Sequence, residues 1–433
     1  MLPRKAAWDI LQAVAAGAYA ELALDRVIKK HQIVSNDKKL ATELAYGAIR
    51  YRKLLDCWID HLGKVKAVKQ PPLLRWLLHI GLYQILKMER IPCSAAVNTT
   101  VELAKRNNLS ELAPVVNALL RKAIRLLDSG KDIPTPSSVA EQLSINYSLP
   151  SWLIKELIDW RGVKGAEIIA QSSNRLPSYD LRINQCKTDV EKLSLTFNKA
   201  GIHSMPIKGS PDGLEVTSGF GDLTQWPGYK EGDWSVQDRS SQWIAPLLEP
   251  KPGEKILDAC AAPGGKSTHL AEIIGDKGEI WSVDKSSKRL ERVSANAMRL
   301  GINCLNLLVA DASSLLELKP EWQGYFDRIL LDVPCSGLGT LARNPDARWR
   351  MTQSKIDQLV PLQEKLLKTT LPLLSRGGRM VYSTCTINPN ENTKQIERFV
   401  SLNKGIKLKF QKQIWPDSKV LGDGFYAAVM DYM

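Results

Sequence analysis

The sequence contains no uninterrupted apolar run of roughly 18 residues or more, so no membrane-spanning helix is expected. Histidine is scarce, at five in 433 residues. The seven cysteines (Cys57, Cys93, Cys186, Cys260, Cys304, Cys335 and Cys385) include no Cys-x-x-Cys pair. No metal site is therefore expected, and an odd, scattered set argues for free thiols over a disulfide framework. Two nucleotide signatures are also missing. There is no Gly-x-Gly-x-x-Gly after a strand, and Gly265-Lys266-Ser267 has the tail of a phosphate loop without its first glycine. The first 31 residues lack the character of a signal peptide, because charges interrupt apolar positions at helical spacing. A cytoplasmic protein is the expectation. Acidic residues are in deficit, with 46 against 59 Lys+Arg, a formal charge of +13. The imbalance is concentrated at the front: residues 1–130 hold 21 basic and 11 acidic residues, or +10. A polyanion, most simply a nucleic acid, is the indicated partner. The competing account is a basic surface kept for solubility.

What is present is ordinary globular material, 44% hydrophobic and 24% charged, in a length that suggests about three domains. Residues 1–130 read as all helix. Leu40, Leu44, Ile49, Leu54 and Trp58 recur at helical spacing, Pro71 and Pro72 open a strongly apolar helix, and Ser94 and Ser110 are candidate caps. "DSGKDIPTPSS" is a linker. Residues 138–231 read as a small α+β region, with a helix from Pro150, strands at "YDLRINQ" and "GLEVTSG", and a helix between them. From about 232 to 433, strands and helices alternate as in a doubly wound, mostly parallel sheet. Its predicted strands are "EKILDAC", "GEIWSVD", "NLLVAD", "DRILLDVP" and "GRMVYSTC". Asp258, Asp284, Asp311, Asp332 and Cys385 fall at their ends, where such sheets bind ligands.

The turn "CAAPGGK" (Cys260, Ala261, Ala262, Pro263, Gly264, Gly265, Lys266) is built of small residues that let a ligand approach the backbone ahead of a helix N-terminus. A nucleoside with a carboxylate or sulfonium tail is the better guest. Asp284 is placed to accept from ribose hydroxyls, or to cap the helix that follows. Asp311 suits an adenine amino group, or a turn cap. "DVPCSG" and "YSTCTINPNEN" each end a strand on a thiol. Methylation of a pyrimidine at carbon 5 needs such parts. A thiolate adds to carbon 6, an acid supports nitrogen 3, carbon 5 takes an electrophilic methyl group, and loss of the carbon-5 proton expels the thiol. Asp332, Cys335 and Cys385 are candidates for these roles. The residues alone leave open which thiol attacks.

"CAAPGGK", "DVPCSG" and "YSTCT", in this order across residues 232–433, resemble the motifs of S-adenosylmethionine-dependent RNA cytosine-5 methyltransferases. "LLRWLLHIGLYQILKMERIPCSAAVNTTVELAKR" with "VVNALLRKAIR" resembles the helical, RNA-binding domain of the antitermination factor NusB. Together they resemble the Sun/Fmu family of ribosomal RNA small-subunit cytosine-5 methyltransferases. The resemblance implies an all-α NusB-like domain (1–130), an RRM-like middle region (138–231) and a Rossmann-like methyltransferase domain (232–433). It implies Cys385 as nucleophile, Cys335 in product release, and Asp332 at nitrogen 3 of the base and on the cofactor side. Cys260 through Lys266, Asp284, Asp311 and Asp332 would line the S-adenosylmethionine and base site. 16S rRNA or a small-subunit precursor is the implied partner, with a monomer expected. Arg182 and Asn184 are candidate RNA contacts in the middle region, unless they are the polar face of a strand edge. One departure stands near the C-terminus, where Tyr426 replaces the second aromatic of a Gly-Phe-Phe-like strand and residues 411–422 match loosely. A tRNA or DNA cytosine methyltransferase and a non-catalytic RNA-binding protein are the alternatives. Against them stand the NusB-like region, the "STC" thiol and the intact motifs. Absence of Asn-Pro-Pro-Tyr disfavours methylation of an exocyclic amine.

Overall fold

The computed structural model describes residues 1–417 and 422–433, so residues 418–421 of the loosely matching C-terminal stretch lie outside it. The chain divides into two compact units. One comprises Met1–Arg175 with Leu341–Arg350, the other Leu176–Thr340 with Met351–Met433. The division at Arg175 falls inside the region that the sequence presents as a single α+β module.

The second unit begins with a four-stranded antiparallel sheet. Its strands are β1 (Tyr179–Ile183), β2 (His203–Pro206), β3 (Gly213–Ser218) and β4 (Trp234–Val236), in the order β2-β3-β1-β4. The helix Val190–Lys199 follows β1, and Asp189 caps it by accepting from the Lys192 N–H. The two short strands β2 and β4 carry no alternation that the sequence displays. Here Arg182 and Asn184 correct the expectation of RNA contact, since both are buried. Arg182 pairs bidentately with Glu272 and also donates to Gly265 O and Thr268 Oγ1. Asn184 donates to the carbonyls of Gly232 and Leu300. A strand position with alternating polarity faces another element here, not solvent.

The larger sheet has seven strands: β5 (Lys255–Asp258), β6 (Glu279–Asp284), β7 (Leu305–Val309), β8 (Phe326–Asp332), β9 (Leu374–Thr384), β10 (Ile406–Ile414) and β11 (Phe425–Tyr432). The order is β10-β11-β9-β8-β5-β6-β7, all pairs parallel except the two made by β11. Successive residues alternate between two cores. Leu257, Ile329, Leu331, Met380 and Tyr382 enter one, and Ile256, Leu330 and Val381 enter the other. Burial on both faces explains why the parallel strands read as continuous apolar runs. One cap assignment shifts here: Ser286, not Asp284, caps Ser287–Leu300. Asn392 stands at the N-cap of Thr393–Leu402.

The first unit is helical, from Leu2–Ala15 to Ser151–Ser172, around one core that runs from Ala6 to Ala123. Pro71 and Pro72 do open the helix Pro72–Lys87. The caps at Ser94 and Ser110 are corrected: Ser94 lies inside Cys93–Lys105, and Ser110 starts a single 3-10 turn before Ala113–Asp128. The segment Leu341–Arg350 belongs to this unit. Asp346 accepts from the Ala20 N–H, and the Trp349 indole donates to Ile49 O. Arg348 is fully buried and donates to Arg50 O, Ser148 O, Ser173 O, Leu341 O and the amide oxygen of Asn174. Removing this guanidinium strands several buried acceptors, each costing about 1–3 kcal/mol. We expect Arg348→Ala to lower urea-unfolding stability by at least about 3 kcal/mol. An unchanged midpoint would refute the strut.

Candidate active site at the carboxyl edge of the large sheet

The site grows from the register of β8 and β9. Asp332 pairs with Ser383, and the Ser383 hydroxyl donates to Asp332 Oδ1 at 2.7 Å. Beyond that pair both chains leave the sheet. Three residues on from Asp332 is Cys335, and two on from Ser383 is Cys385. Their sulfurs are 3.4 Å apart and both residues are half-buried. The hydrogen bond with Cys385 and burial hold the Cys335 thiol well above its ordinary pKa, and either sulfur can be the donor. Asp332 Oδ2 meets Lys266 Nζ at 2.6 Å. Burial opposes the charge on Lys266, but the Asp332 carboxylate outweighs it, and the ammonium pKa is raised. The structure thus brings Cys335, Cys385, Asp332 and Lys266 together. The sequence had placed Lys266 with the cofactor loop only.

That loop joins β5 to the helix Gly265–Ile273. The Ala261 N–H donates to Val283 O, and Gly264, at φ +100°, accepts a conformation that disfavours other residues. A Cβ on Gly264 would meet Val293 at 3.0 Å. Cys260 is half-buried, and burial first, then Asp258, push its thiol far up, which leaves it an inert sulfur in a loop whose backbone matters. Asp284 is buried at the end of β6, with Oδ1 accepting from the Ser286 N–H and Oδ2 paired with Arg289 at 3.0 Å. Arg289 also donates to Ala262 O, tying Asp284 to the loop. Asp311, at the end of β7, accepts from the Ser313 N–H and so caps a turn.

Two groups were not legible as site residues. Asp258 was noted only as a strand end. It is buried, its Oδ2 accepts from Ser267, and among the described residues its Oδ1 meets no hydrogen-bond partner. Burial is the main reason that its pKa is pushed up to about 7. The C-terminal strand is the second. Gly424 N–H donates to Gly339 O, a Cβ on Gly339 would collide with Gly424 O, and Phe425 lies under the Lys266 ammonium at 5.2 Å. Tyr426, the departure from the expected aromatic pair, is buried with its hydroxyl on Gln411. Among the described residues, no group of three or more His, Cys, Asp or Glu is arranged to hold a metal ion.

This strand order, with a glycine-cornered loop after the first strand of the sheet, is that of an α/β methyltransferase. Residues 245–431 match the family described as 16S rRNA methyltransferase RsmB/F, residues 1–125 the NusB family, and residues 149–221 an RsmF/B-like ferredoxin-like domain. A "Probable ribosomal RNA small subunit methyltransferase B" of Synechocystis sp. is 44% identical over 383 residues, covering 88% of this chain and 85% of that protein. The ribosomal RNA small subunit methyltransferase B of Proteus mirabilis is 34% identical over 438 residues, covering 97% and 98%. The crystal structure of PH0851 matches with a TM-score of 0.84 at 27% identity, over 99% of this chain and 98% of that one. The chain belongs to the ribosomal RNA small subunit methyltransferase B family, and it is an RNA methyltransferase.

The raised pKa of Asp258 has a stability signature. The unfolded chain releases this proton near 3.8, while the folded chain holds it until about 7. The cost to folding therefore grows between those pH values and is complete above 7. Asparagine mimics the protonated form. Asp258→Asn should gain on wild type as pH rises from 4 to 8, by on the order of 3 kcal/mol in denaturant titrations. A pH-independent difference would contradict the assignment.

Proposed function

We propose that the protein methylates carbon 5 of a cytosine in 16S rRNA, with S-adenosylmethionine as donor and Cys385 as covalent nucleophile. One observation carries the reading: two thiols 3.4 Å apart at the ends of adjacent strands, beside the Lys266–Asp332 pair. A single-cysteine or amine-directed chemistry has no use for the second sulfur.

The residues present fit the donor. Asp258 Oδ1 is a buried carboxylate oxygen in want of a partner, suited to a cationic tail. A side chain at Gly264 would press on Val293, so the glycine keeps the loop tight against the helix Ser287–Leu300. Cys260 through Lys266 supply its backbone, and Asp284, Asp311 and Asp332 stand at the strand ends around it. S-adenosylmethionine supplies an electrophilic methyl group on sulfur. Cys385 adds its thiolate to carbon 6, which makes carbon 5 nucleophilic, and the Cys335 thiol stabilises the neighbouring sulfur anion by donating to it. Asp332, oriented by Ser383 and Lys266, would accept a hydrogen bond from nitrogen 3 as that nitrogen takes up a proton from solvent to neutralise the charge of thiolate addition. Removal of the carbon-5 proton re-forms the 5,6 double bond and expels Cys385 as thiolate, with Cys335 assisting release. Reaching this edge requires the base to leave its stack. The positive charge of residues 1–130 would supply phosphate contacts, and so a salt-dependent affinity.

Transfer of a labelled methyl group from S-adenosylmethionine to unmodified 16S rRNA, followed by digestion to nucleosides, tests the reading. Label is expected in 5-methylcytidine, and label in another nucleoside would defeat it. Cys385→Ser should abolish turnover without an adduct. Cys335→Ser should accumulate a denaturation-resistant protein–RNA complex. An adduct in the Cys385 variant instead would reverse the two roles.

A further inference from the structure

The sheet accounts for the approach of the two thiols only as far as Asp332 and Ser383. Beyond that pair the two chains leave the sheet as loops, tied by the Val333 N–H to Ser383 O and by the Gly339 N–H to Cys385 O. Cys335 lies between those backbone ties, two residues after one and four before the other, and neither fixes the residue next to it. A side chain that meets both loops there is the carboxylate of Glu391, on the turn after Cys385. Glu391 Oε2 accepts from the Ser336 N–H at 2.9 Å and from Gln363 Nε2 at 3.0 Å. Its Oε1 accepts from the hydroxyls of Ser336 and Thr386. Ser336 follows Cys335 and Thr386 follows Cys385, and their hydroxyls also meet each other at 2.7 Å.

Glu391 is fully buried, and among the described residues no cation pairs with it. A buried acid without a cation is costly, and a glutamate at this point would be a poor choice for stability alone. The surrounding donors offset that cost, and they come from three separate elements. The turn itself is fixed independently. The Tyr382 hydroxyl donates to Glu391 O, and Asn392 takes the Thr384 hydroxyl while donating to Thr386 O and Gln413. Glu391 is therefore held in place by β9 and β10 and can serve as a fixed point for both loops.

We infer that Glu391 is a positioning residue that sets the separation of Cys335 and Cys385 by binding the residue after each thiol. This rests on the two-thiol reading for its catalytic consequence, but not for its geometry. A glutamine would turn an NH2 group toward donors and release one arm of the clamp. Reaction rates are sensitive to such release, since a misplacement of about 1 Å costs on the order of 10²-fold.

The test uses the full-length protein and two readouts. The first is the equilibrium with glutathione disulfide. The two cysteine thiols give up two protons and two electrons, one sulfur–sulfur bond forms between them, and glutathione disulfide is reduced to two thiols. Peptide mass spectrometry quantifies the Cys335–Cys385 link and yields the effective concentration of one thiol at the other. In Glu391→Gln this should fall at least about tenfold, while kcat falls about 10²-fold at an unchanged KM for the methyl donor. Thr386→Val and Ser336→Ala each cut a single arm and should show smaller losses in the same direction, which keeps the test open should Glu391→Gln not fold. Wild-type thiol pairing and kcat in the folded variants would overturn the inference. The thiol readout needs neither RNA nor methyl donor. Weakened pairing in Glu391→Gln without adduct trapping in Cys335→Ser would retain the clamp and reject the covalent mechanism.

Discussion

The site depends on β8 and β9 being hydrogen-bonded, parallel and in register through Asp332 and Ser383. Parallel strands deliver both carboxyl ends to one edge, so whatever follows each strand meets whatever follows the other. An antiparallel pair would have sent the two thiols to opposite edges. The same edge receives the loop after β5. Lys266, the second residue of the next helix, spans from that loop to Asp332. The small-residue loop and the thiol-bearing strand ends are thus joined by an ion pair, buried enough to be held in a fixed geometry.

The surroundings are unusually polar for an interior. Arg182 and Glu272, Asp258 and Ser267, Glu391 and its donors, and Asn392 all lie buried. Apolar packing would stabilise these places at lower cost, but it would not orient groups. Arg182 illustrates the distinction. Its guanidinium fastens the small four-stranded sheet to Gly265 O and Thr268 on the helix behind the cofactor loop. The middle region thereby contributes to the rigidity of a loop with which it shares no motif.

Much of this was legible in the sequence because each signal was local. The five parallel strands betray themselves as apolar runs ending in Asp or Cys, and the helices by their period. The thiol motifs and the small-residue turn carry their meaning in consecutive residues. What escaped was set by distant partners. Arg182 and Asn184 look like a polar strand face, and only the fold shows what covers that face. Glu391 is one acid in a polar turn until Ser336, some 55 positions earlier, comes beside it. β10 alternates lysine with apolar residues as an edge strand does, yet its partner β11 lies beyond an intervening stretch that matches no motif. Caps were misplaced at Ser94 and Ser110 because these helices start without a capping side chain, with Pro92 and Leu112 at their N-caps.

The segment Leu341–Arg350 has a consequence for biogenesis. Residues 1–175 are synthesised first, yet the unit that they form is completed by a segment whose last residue, Arg350, follows Arg175 by 175 residues. At about 5–20 residues per second, the nascent helices wait roughly 9–35 s for Arg348 and Trp349 to emerge. In that interval β5 through β8 have already left the ribosome. The order of synthesis and the order of completion therefore differ. The core of the N-terminal helices lies within residues 6–123, but the contacts of Arg348 and Trp349 to them form only after the strand that carries Asp332 has been made.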